Sequence, residues 1–386
     1  MGKTSKYVTA AALCSTIVMG GLQASAVSYA ATNPTTVTIQ SDAKLLNDFR
    51  KELKKQIDNR EENITITYKT KDRNARNIMD QLYGEFNKIV DADEYVKYNV
   101  ASTKYSIKGM PGNYTFTLQV KYRESKEQTQ YVKSQAKAIV NSIIKQGMDE
   151  HEKVKAIHDY VVKQVSYDTS YQAYTAYEAL ANRSAVCQGY TLLTYQLLKE
   201  AGIQNHIVTG TGNGQAHAWN LVNIDNKWYH LDTTFDDPVP DKAGRVTYSY
   251  FNMSDEQLSK DHEWDRSEYP AATTSYFNEL TSKIKAGSSK TAVYEQMLKE
   301  TNLKYLSAQY GAENYNEFKK KLQQQFASKP EKVEVRYKQS MDGTMQDIKK
   351  VLNEITWPKG AKRVSYQVAP YSAMTGYSLA TITFTY

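Results

Sequence analysis

The chain has 386 residues, so two or three compact units are expected. Apolar residues make up 40% and charged residues 24%, which argues against a disordered chain and against a protein with several membrane spans. The formal charge of +7 and the 31 tyrosines suit binding to an anionic polymer such as a cell wall, whereas the lack of a clustered basic stretch argues against a nucleic-acid partner.

The first 30 residues have the three parts of a secretory signal. Two lysines precede an apolar run over 8–19, and small-residue cleavage sites follow at 24–26 and 28–30. An N-terminal membrane anchor is the alternative, but the run is shorter than the roughly 20 residues that a spanning helix needs. Removal of 1–30 would remove Cys14 and leave Cys187 as the remaining cysteine. We therefore expect a secreted protein, extracellular or associated with the cell wall, with no internal disulfide and no transmembrane segment after cleavage.

Residues 31–125 are predicted to form a small α-β-α-β-β unit. Apolar residues recur at helical spacing over 45–57 and over 78–89, and residues 64–68 alternate in the manner of a strand. Two more strands are predicted around Tyr95 to Ile107 and Tyr114 to Tyr122, the second with apolar residues on one face. This segment is the predicted N-terminal α/β domain.

The same pattern returns over residues 306–386. At a shift of 269 residues, 318–326 repeat 49–57, 333–337 repeat 64–68 and 348–355 repeat 79–86. Near the end, 364–369 match 96–101 and 376–386 match 112–122. Two unrelated units with similar amphipathic patterns are the alternative. The agreement in pattern, order and several identities predicts one small domain, duplicated on either side of a central one.

Residues 126–270 are the predicted central domain, and 271–305 the connector to the second repeat. A helix near 128–146 opens the domain, and Asp149 with Glu152 forms a capping-box pattern for the next helix. A largely apolar helix is predicted over 188–201, ended by Gly202 where a left-handed residue is favoured.

Cys187 lies at or just before the start of that apolar helix. The unpaired N–H groups and the positive end of the helix dipole stabilise a thiolate there and can hold a developing oxyanion. Gly189 would leave room for a substrate backbone to approach. A small buried hydrophobic residue, the commonest fate of a free cysteine, is the alternative for Cys187.

Two strands after this helix carry a histidine and an aspartate. Residues 216–224 and 227–232 are predicted strands of a hairpin whose turn is Asp225-Asn226. In that register Trp219 faces Asp232, and His217 is a diagonal neighbour of Asp232 on the same face, at a Cα separation of roughly 7–8 Å. A slip of one residue would place the two side chains on opposite faces.

These residues can form a nucleophilic triad. Cys187 would attack an amide carbonyl, His217 would take the thiol proton and later protonate the leaving amine, and Asp232 would fix the imidazole tautomer. A structural histidine and a turn aspartate are the alternatives for each residue by itself.

A zinc site is the competing interpretation of the same residues. Cys187, His217, His230 and Asp232 are four possible ligands. In the hairpin register, however, His217 and His230 lie on opposite faces, and no CxxC or HExxH pair is present. No metal is predicted, and the remaining histidines, His230, His158, His206, His151 and His262, are predicted to be structural or at the surface.

Three blocks in the central domain resemble the transglutaminase-like superfamily of papain-fold thiol enzymes, most closely its bacterial secreted branch. They are VCQGY around Cys187, HAWN at His217 and WYHLDTTFDDP at Asp232, within a resemblance that spans residues 149–238. Phe235 stands where this branch often has tryptophan. The resemblance implies an α+β papain-like core and a Cys-His-Asp triad at these three positions, and it does not extend to the two repeats.

The resemblance leaves the reaction open. The superfamily includes crosslinking transglutaminases, peptide and glycan amidases, proteases and inactive members. No acidic loop of EF-hand pattern is present, so a calcium requirement is not supported, and we expect no cofactor. Tyr167, Tyr171 and Gln188 are candidates for the oxyanion partner, and Gln188, Gly189 and Trp219 for contacts with substrate.

The sequence therefore predicts an exported thiol enzyme that acts on amide bonds of proteins or cell-wall peptides, with hydrolysis favoured over crosslinking. The flanking repeats would bind the substrate or an anionic wall polymer. A non-catalytic surface scaffold or adhesion protein that keeps the fold without the chemistry is the alternative.

Overall fold

A computed structural model describes residues 38–39, 42–237, 239–240, 242 and 244–386. The predicted signal segment 1–30, with Cys14, and Pro238 at the end of the third motif lie outside the described residues. The chain divides into two compact units, one formed up to residue 246 and by 258–272, the other by 247–257 and 273–386. Among the described helices, none has the length and apolar character that crossing a membrane requires.

The first unit opens with a four-stranded sheet covered by helices. Its elements are β1 (Thr38–Ile39), α1 (Asp42–Asp58), β2 (Asn63–Lys69), α2 (Ala75–Asp91), α3 (Glu94–Asn99), β3 (Val100–Met110) and β4 (Asn113–Tyr122). The strand order is β1-β2-β4-β3. Alternate residues of β2 and β4 are buried against apolar residues of α1 and α2, which is the period-2 pattern of a sheet with one covered face.

Residues 95–99 are helical, so the prediction of a strand from Tyr95 is wrong over its first five residues. Asp93 caps α3 by accepting from the backbone N–H groups of Tyr95 and Val96, and the buried Asn99 amide donates to the Tyr95 carbonyl. The Asp93 cap is a local start signal that outweighs the β propensity of Tyr95, Val96 and Tyr98.

The central part of the first unit is a helical layer followed by a second sheet. Its elements are α4 (Lys126–Ile143), α5 (Glu150–Gln164), β5 (Ser166–Tyr167), α6 (Ala176–Ala181), β6 (Ser184–Ala185), α7 (Cys187–Glu200), β7 (Asn205–Gly212), β8 (Gln215–Ile224), β9 (Lys227–Leu231) and, beyond α8 (Asp255–Leu258), β10 (His262–Trp264). The capping box of Asp149 and Glu152 forms as predicted. The sheet is antiparallel in the order β10-β7-β8-β9, and the helix α7 is buried over nearly its whole length.

The second unit begins with helices in the segment predicted to be a connector. α9 (Tyr276–Lys285) and α10 (Thr291–Glu300) bury apolar side chains. They precede β11 (Gly311–Ala312), α11 (Tyr315–Phe326), β12 (Lys332–Tyr337), α12 (Met341–Glu354), β13 (Arg363–Pro370) and β14 (Ser378–Thr385). The strand order β11-β12-β14-β13 is that of the first sheet.

The two sheets also share register in their central strands. Ile66 lies opposite Phe116 in the first sheet, and Val335 lies opposite Ala380 in the second. The edge strands β3 and β13 match differently from the prediction. Val368 lies opposite Ala380, and the corresponding pair in the first sheet is Ile107 opposite Phe116. Val368 therefore corresponds to Ile107 and not to Val100. The helix α3 occupies the first four of the six residues, 96–101, that the sequence pattern had assigned to this strand, and β3 begins at Val100.

The hairpin of β8 and β9 has the predicted register. Ile224 lies opposite Lys227 and Asn220 opposite Leu231. Asp225 and Asn226 form the turn with φ of 50° and 61°, the double left-handed geometry that matches the twist of a two-residue hairpin. The turn therefore holds the pairing that puts His217 and Asp232 on one face.

Replacement of Asn226 tests this turn, since the residue is exposed and its backbone conformation matters more than its packing. We expect Asn226→Val to lower the free energy of unfolding by about 1 kcal/mol, because a β-branched side chain is disfavoured at positive φ. Asn226→Gly is the matched control and should be at least as stable as the parent. Urea unfolding of the full chain measures both, and equal stability of the two variants would contradict the turn assignment.

Candidate active site

Cys187 is the first residue of α7. Its side chain is buried, with the residue 1% exposed, and the cap residue Val186 makes no side-chain hydrogen bond to the helix start. The thiol therefore lies at the positive end of a 14-residue helix, where the dipole favours the thiolate.

Thr191 connects this helix start to the strand that carries His217. Its hydroxyl oxygen lies 2.8 Å from the Cys187 carbonyl oxygen and 2.9 Å from that of Ala218. Asn220, two residues after Ala218 in β8, has a buried side-chain amide that donates to the Thr191 carbonyl at 3.2 Å. The first turn of α7 is thus fastened to the part of β8 that follows His217.

His217 and Asp232 are hydrogen-bonded. Their Nε2 and Oδ2 atoms are 2.6 Å apart, and both side chains are buried. An ionised carboxylate can only accept, so Nε2 carries the proton and the neutral ring has a bare Nδ1. This is the tautomer that can take a proton from a thiol through Nδ1.

Neighbouring rings and a glycine hold the His217 imidazole in place. Trp219 stacks on it at 5.8 Å between centroids, and Phe235 contacts it at 4.5 Å. A Cβ at Gly212 would lie 2.9 Å from a ring carbon of Phe235 and 3.1 Å from Cδ2 of His217. Any larger residue at this position would displace the histidine or the phenylalanine.

Asp232 is fully buried and accepts through both oxygens. Oδ1 accepts from the backbone N–H groups of Thr234 and Phe235 at 2.9 and 3.0 Å. Oδ2 is shared by His217 and by Nε2 of His262 at 3.1 Å. Burial acts to raise the pKa of Asp232, but the charges and hydrogen bonds of His217 and His262 outweigh it and hold the pKa well below its usual range.

His262 is the residue of this site that the sequence did not predict. It was expected to be structural or at the surface, and its side chain is fully buried against Asp232. Its strand β10 has three residues and pairs His262 with Gly212, and a strand this short has no detectable periodicity in the sequence. Burial lowers the pKa of His262, but the hydrogen bonds to Asp232 and Asp261 raise it to about 9.

The predicted substrate contacts have other partners in the structure. Gln188 donates to the Tyr98 carbonyl at 2.9 Å. Trp219 is 1% exposed and donates from Nε1 to Nδ1 of His230 at 3.0 Å, so it supports the site from within the core. A Cβ at Gly189 would lie 2.5 Å from the Ala185 Cβ, so this glycine allows helix packing rather than substrate approach.

The tyrosine candidates for the oxyanion partner lie in and just after β5, the strand that pairs with β6 just before Cys187. β5 pairs with β6 and places Tyr167 opposite Ala185, two residues before Cys187. Tyr171 packs edge-on against Tyr167 at 6.4 Å between ring centroids. Tyr167 therefore stays a candidate on position, whereas the Gln188 amide already binds a carbonyl.

Distances alone also allow His217, Asp232 and His262 to be a metal site, since one ligand atom from each lies within 4.8 Å of the others. The zinc set considered from the sequence differs in including His230, whose Nδ1 accepts from Trp219. The Asp232 oxygen lies at hydrogen-bond distance from both imidazoles. The three side chains thus satisfy one another without an ion.

The remaining histidines pair with carboxylates elsewhere in the first unit. His151 contacts Asp225 of the hairpin turn at 3.2 Å, and His206 contacts Glu94 at 2.8 Å. His158 lies between Asp159 and Asp236, at 3.1 and 3.0 Å. These contacts fit the predicted structural roles of the three residues.

Comparison with known proteins identifies the same central segment. Residues 137–233 match the family model of the transglutaminase-like superfamily. Kyphoscoliosis peptidase of Mus musculus is 26% identical over 138 residues, and that of Homo sapiens is 24% identical over 137. Each match covers 31% of this chain and 21% of the relative, so the chain spans about a fifth of the length of these curated relatives.

A solved structure described as a TGase is also matched, at 19% identity and a TM-score of 0.28, over 48% of this chain and 54% of that one. The matched segment contains the first two motifs, the first six residues of the third, and the residues Cys187, His217 and Asp232. It also begins twelve residues earlier than the sequence motifs suggested, within the helix α4. Residues 137–233 of this α+β protein are therefore a domain of the transglutaminase-like superfamily.

Proposed function

We propose that this chain is an exported thiol enzyme that cleaves or transfers amide acyl groups of proteins or cell-wall peptides through Cys187, His217 and Asp232. The observation that supports it most directly is the 2.6 Å hydrogen bond between His217 Nε2 and Asp232 Oδ2, on a strand that Thr191 fastens to the start of the cysteine helix. The reaction type and the exported location are parts of the proposal.

The chemistry follows from the atoms available. The Cys187 thiol gives its proton to His217 Nδ1, and Sγ bonds to the amide carbonyl carbon. His217 then returns the proton to the leaving nitrogen as the C–N bond breaks, which leaves a thioester. Water, deprotonated by His217, releases an acid and the free thiol, and an amine attacking in the same way would form a new amide.

Asp232 stabilises the charged form of His217 during these steps. Its lowered pKa keeps it ionised at neutral pH, and its position behind Nε2 favours the imidazolium that forms when the thiol loses its proton. Backbone N–H groups at the start of α7 are the donors proposed for the oxyanion.

A non-catalytic scaffold is the second candidate, and one observation favours it. Cys187 is 1% exposed, as a structural cysteine of a buried helix would be. The scaffold requires an inert thiol, whereas the enzyme requires an activated thiol that a substrate can reach.

Alkylation by iodoacetamide separates these candidates. We expect Cys187 at pH 6 to react at least about tenfold faster than free cysteine, because a lowered thiol pKa raises the thiolate fraction. His217→Ala should remove this advantage. His206→Ala is the control, since that residue pairs with Glu94 away from the thiol, and Cys187→Ser gives the background. A thiol that reacts like free cysteine and is insensitive to His217→Ala would support the scaffold.

The acyl acceptor is tested with a fluorescent primary amine and a glutamine-containing protein. We expect peptide-bond cleavage that Cys187→Ala abolishes and little incorporation of the amine, because hydrolysis is the favoured reaction. The wild-type chain and the Cys187→Ala variant are compared by gel fluorescence and by mass spectrometry of the products. Amine incorporation that depends on Cys187 would reverse the preference in favour of crosslinking.

The flanking domains are proposed to bind anionic wall polymer. In the first sheet, Lys104, Lys108 and Lys121 are exposed on the face opposite the helices. We expect the full chain to sediment with purified anionic cell wall at low salt and to be released by about 1 M salt, where screening acts over about 3 Å. Replacing the three lysines with glutamate should weaken retention, and the Cys187→Ala variant should bind as the wild type does. Retention that is indifferent to both salt and charge would argue against this role.

A further inference from the structure

His262 makes two hydrogen bonds to carboxylates, and neither bond has a part in the proposed triad chemistry. Its Nε2 lies 3.1 Å from Asp232 Oδ2, and its Nδ1 lies 2.7 Å from Asp261 Oδ1. Two carboxylates can only accept, so the ring donates from both nitrogens and is an imidazolium. The fully buried side chain is therefore a fixed positive charge behind the triad aspartate.

This cation completes the set of donors around Asp232. Two backbone N–H groups bind Oδ1, and two imidazoles bind Oδ2. A carboxylate with about four donors has its lone pairs occupied and its rotation blocked. The direction in which Oδ2 faces His217 is then set partly by His262.

We infer that His262 is a positioning residue of the thiol site, which holds the Asp232 carboxylate so that His217 keeps its proton on Nε2 and presents Nδ1 to Cys187. The inference rests on the proposed function and adds a fourth side chain to it. His262 touches neither the thiol nor a substrate atom in this arrangement, and it acts through Asp232.

The charge of His262 also acts on His217. Their ring centroids are 5.4 Å apart. The titratable groups that face the His262 ring are Asp232 after β9, Asp261 before β10 and His217 on β8, with Phe235 and Trp219 as its aromatic neighbours. A buried positive charge close to the thiol site favours the Cys187 thiolate, so its removal should move the pH profile of Cys187 alkylation to higher pH.

Two substitutions separate the contact from the charge. In His262→Gln the side-chain amide nitrogen can reach the place of Nε2 and donate to Asp232, but the charge is lost. In His262→Asn the amide reaches only as far as Nδ1, so the Asp261 contact can remain while the Asp232 contact is lost. The matched control is His158, a fully buried histidine that also lies between two carboxylates, changed to Gln and to Asn in the same way.

The readouts are the pH profile of Cys187 alkylation and the ring ¹⁵N spectrum of His217 in the full-length chain. We expect His262→Asn to lower the alkylation rate about tenfold near pH 6 and to replace the single Nε2–H tautomer of His217 by a mixture. His262→Gln should restore the tautomer and most of the rate, with the profile displaced by about one pH unit to higher pH. The His158 variants should lower the unfolding midpoint and leave both readouts as in the wild type.

A folded His262→Asn variant with the wild-type profile and tautomer would overturn the inference. If that variant does not fold, the His262→Gln variant decides, because an undisplaced profile would overturn the role of the charge. Failure of the proposed function looks different, since an inert thiol in the wild type removes the alkylation advantage in every variant. The His217 tautomer still reports on His262 in that case, because the ring spectrum needs no reactive thiol.

Discussion

The site depends on a buried ionised carboxylate. An isolated carboxylate at the position of Asp232 would lose most of its hydration, and the structure supplies four donors and a neighbouring imidazolium in its place. Removing one partner of such a group costs more than the hydrogen bond alone, because the remaining charge stays buried. The positions of His217, His262 and the chain after β9 are therefore coupled through one side chain.

Three local features set the positions of the residues around that carboxylate. The left-handed turn at Asp225 and Asn226 sets the β8–β9 register. The hydroxyl of Thr191 ties the cysteine helix to β8, and Gly212 lets β7 approach the His217 ring. A change in any of these would alter the geometry of the site without replacing any of the three proposed catalytic residues.

The sequence predicted the parts of the site that have local signals. The two-residue turn has a strong one, so the diagonal placement of His217 and Asp232 could be worked out from the register alone. His262 could not, because its contact with Asp232 spans 30 residues and its strand has three residues. Trp219 was misjudged for a related reason, since the spacing of residues shows that it is near the thiol but not that its side chain is buried in the core.

The helix α3 is present in the N-terminal α/β segment and absent at the corresponding place among the described residues of the C-terminal one, and it contacts the central domain. Glu94 accepts from the Ile207 backbone N–H and pairs with His206, and the Tyr98 carbonyl accepts from Gln188, the residue after the proposed nucleophile. The second repeat has no helix at the corresponding place among its described residues, because α12 is followed by β13 without another helix between them. The six residues of α3 thus link the N-terminal α/β segment to the thiol domain, which lies in the same compact unit. The hydrogen bond between the Tyr98 carbonyl and the Gln188 amide makes α3 a direct support for the start of the cysteine helix.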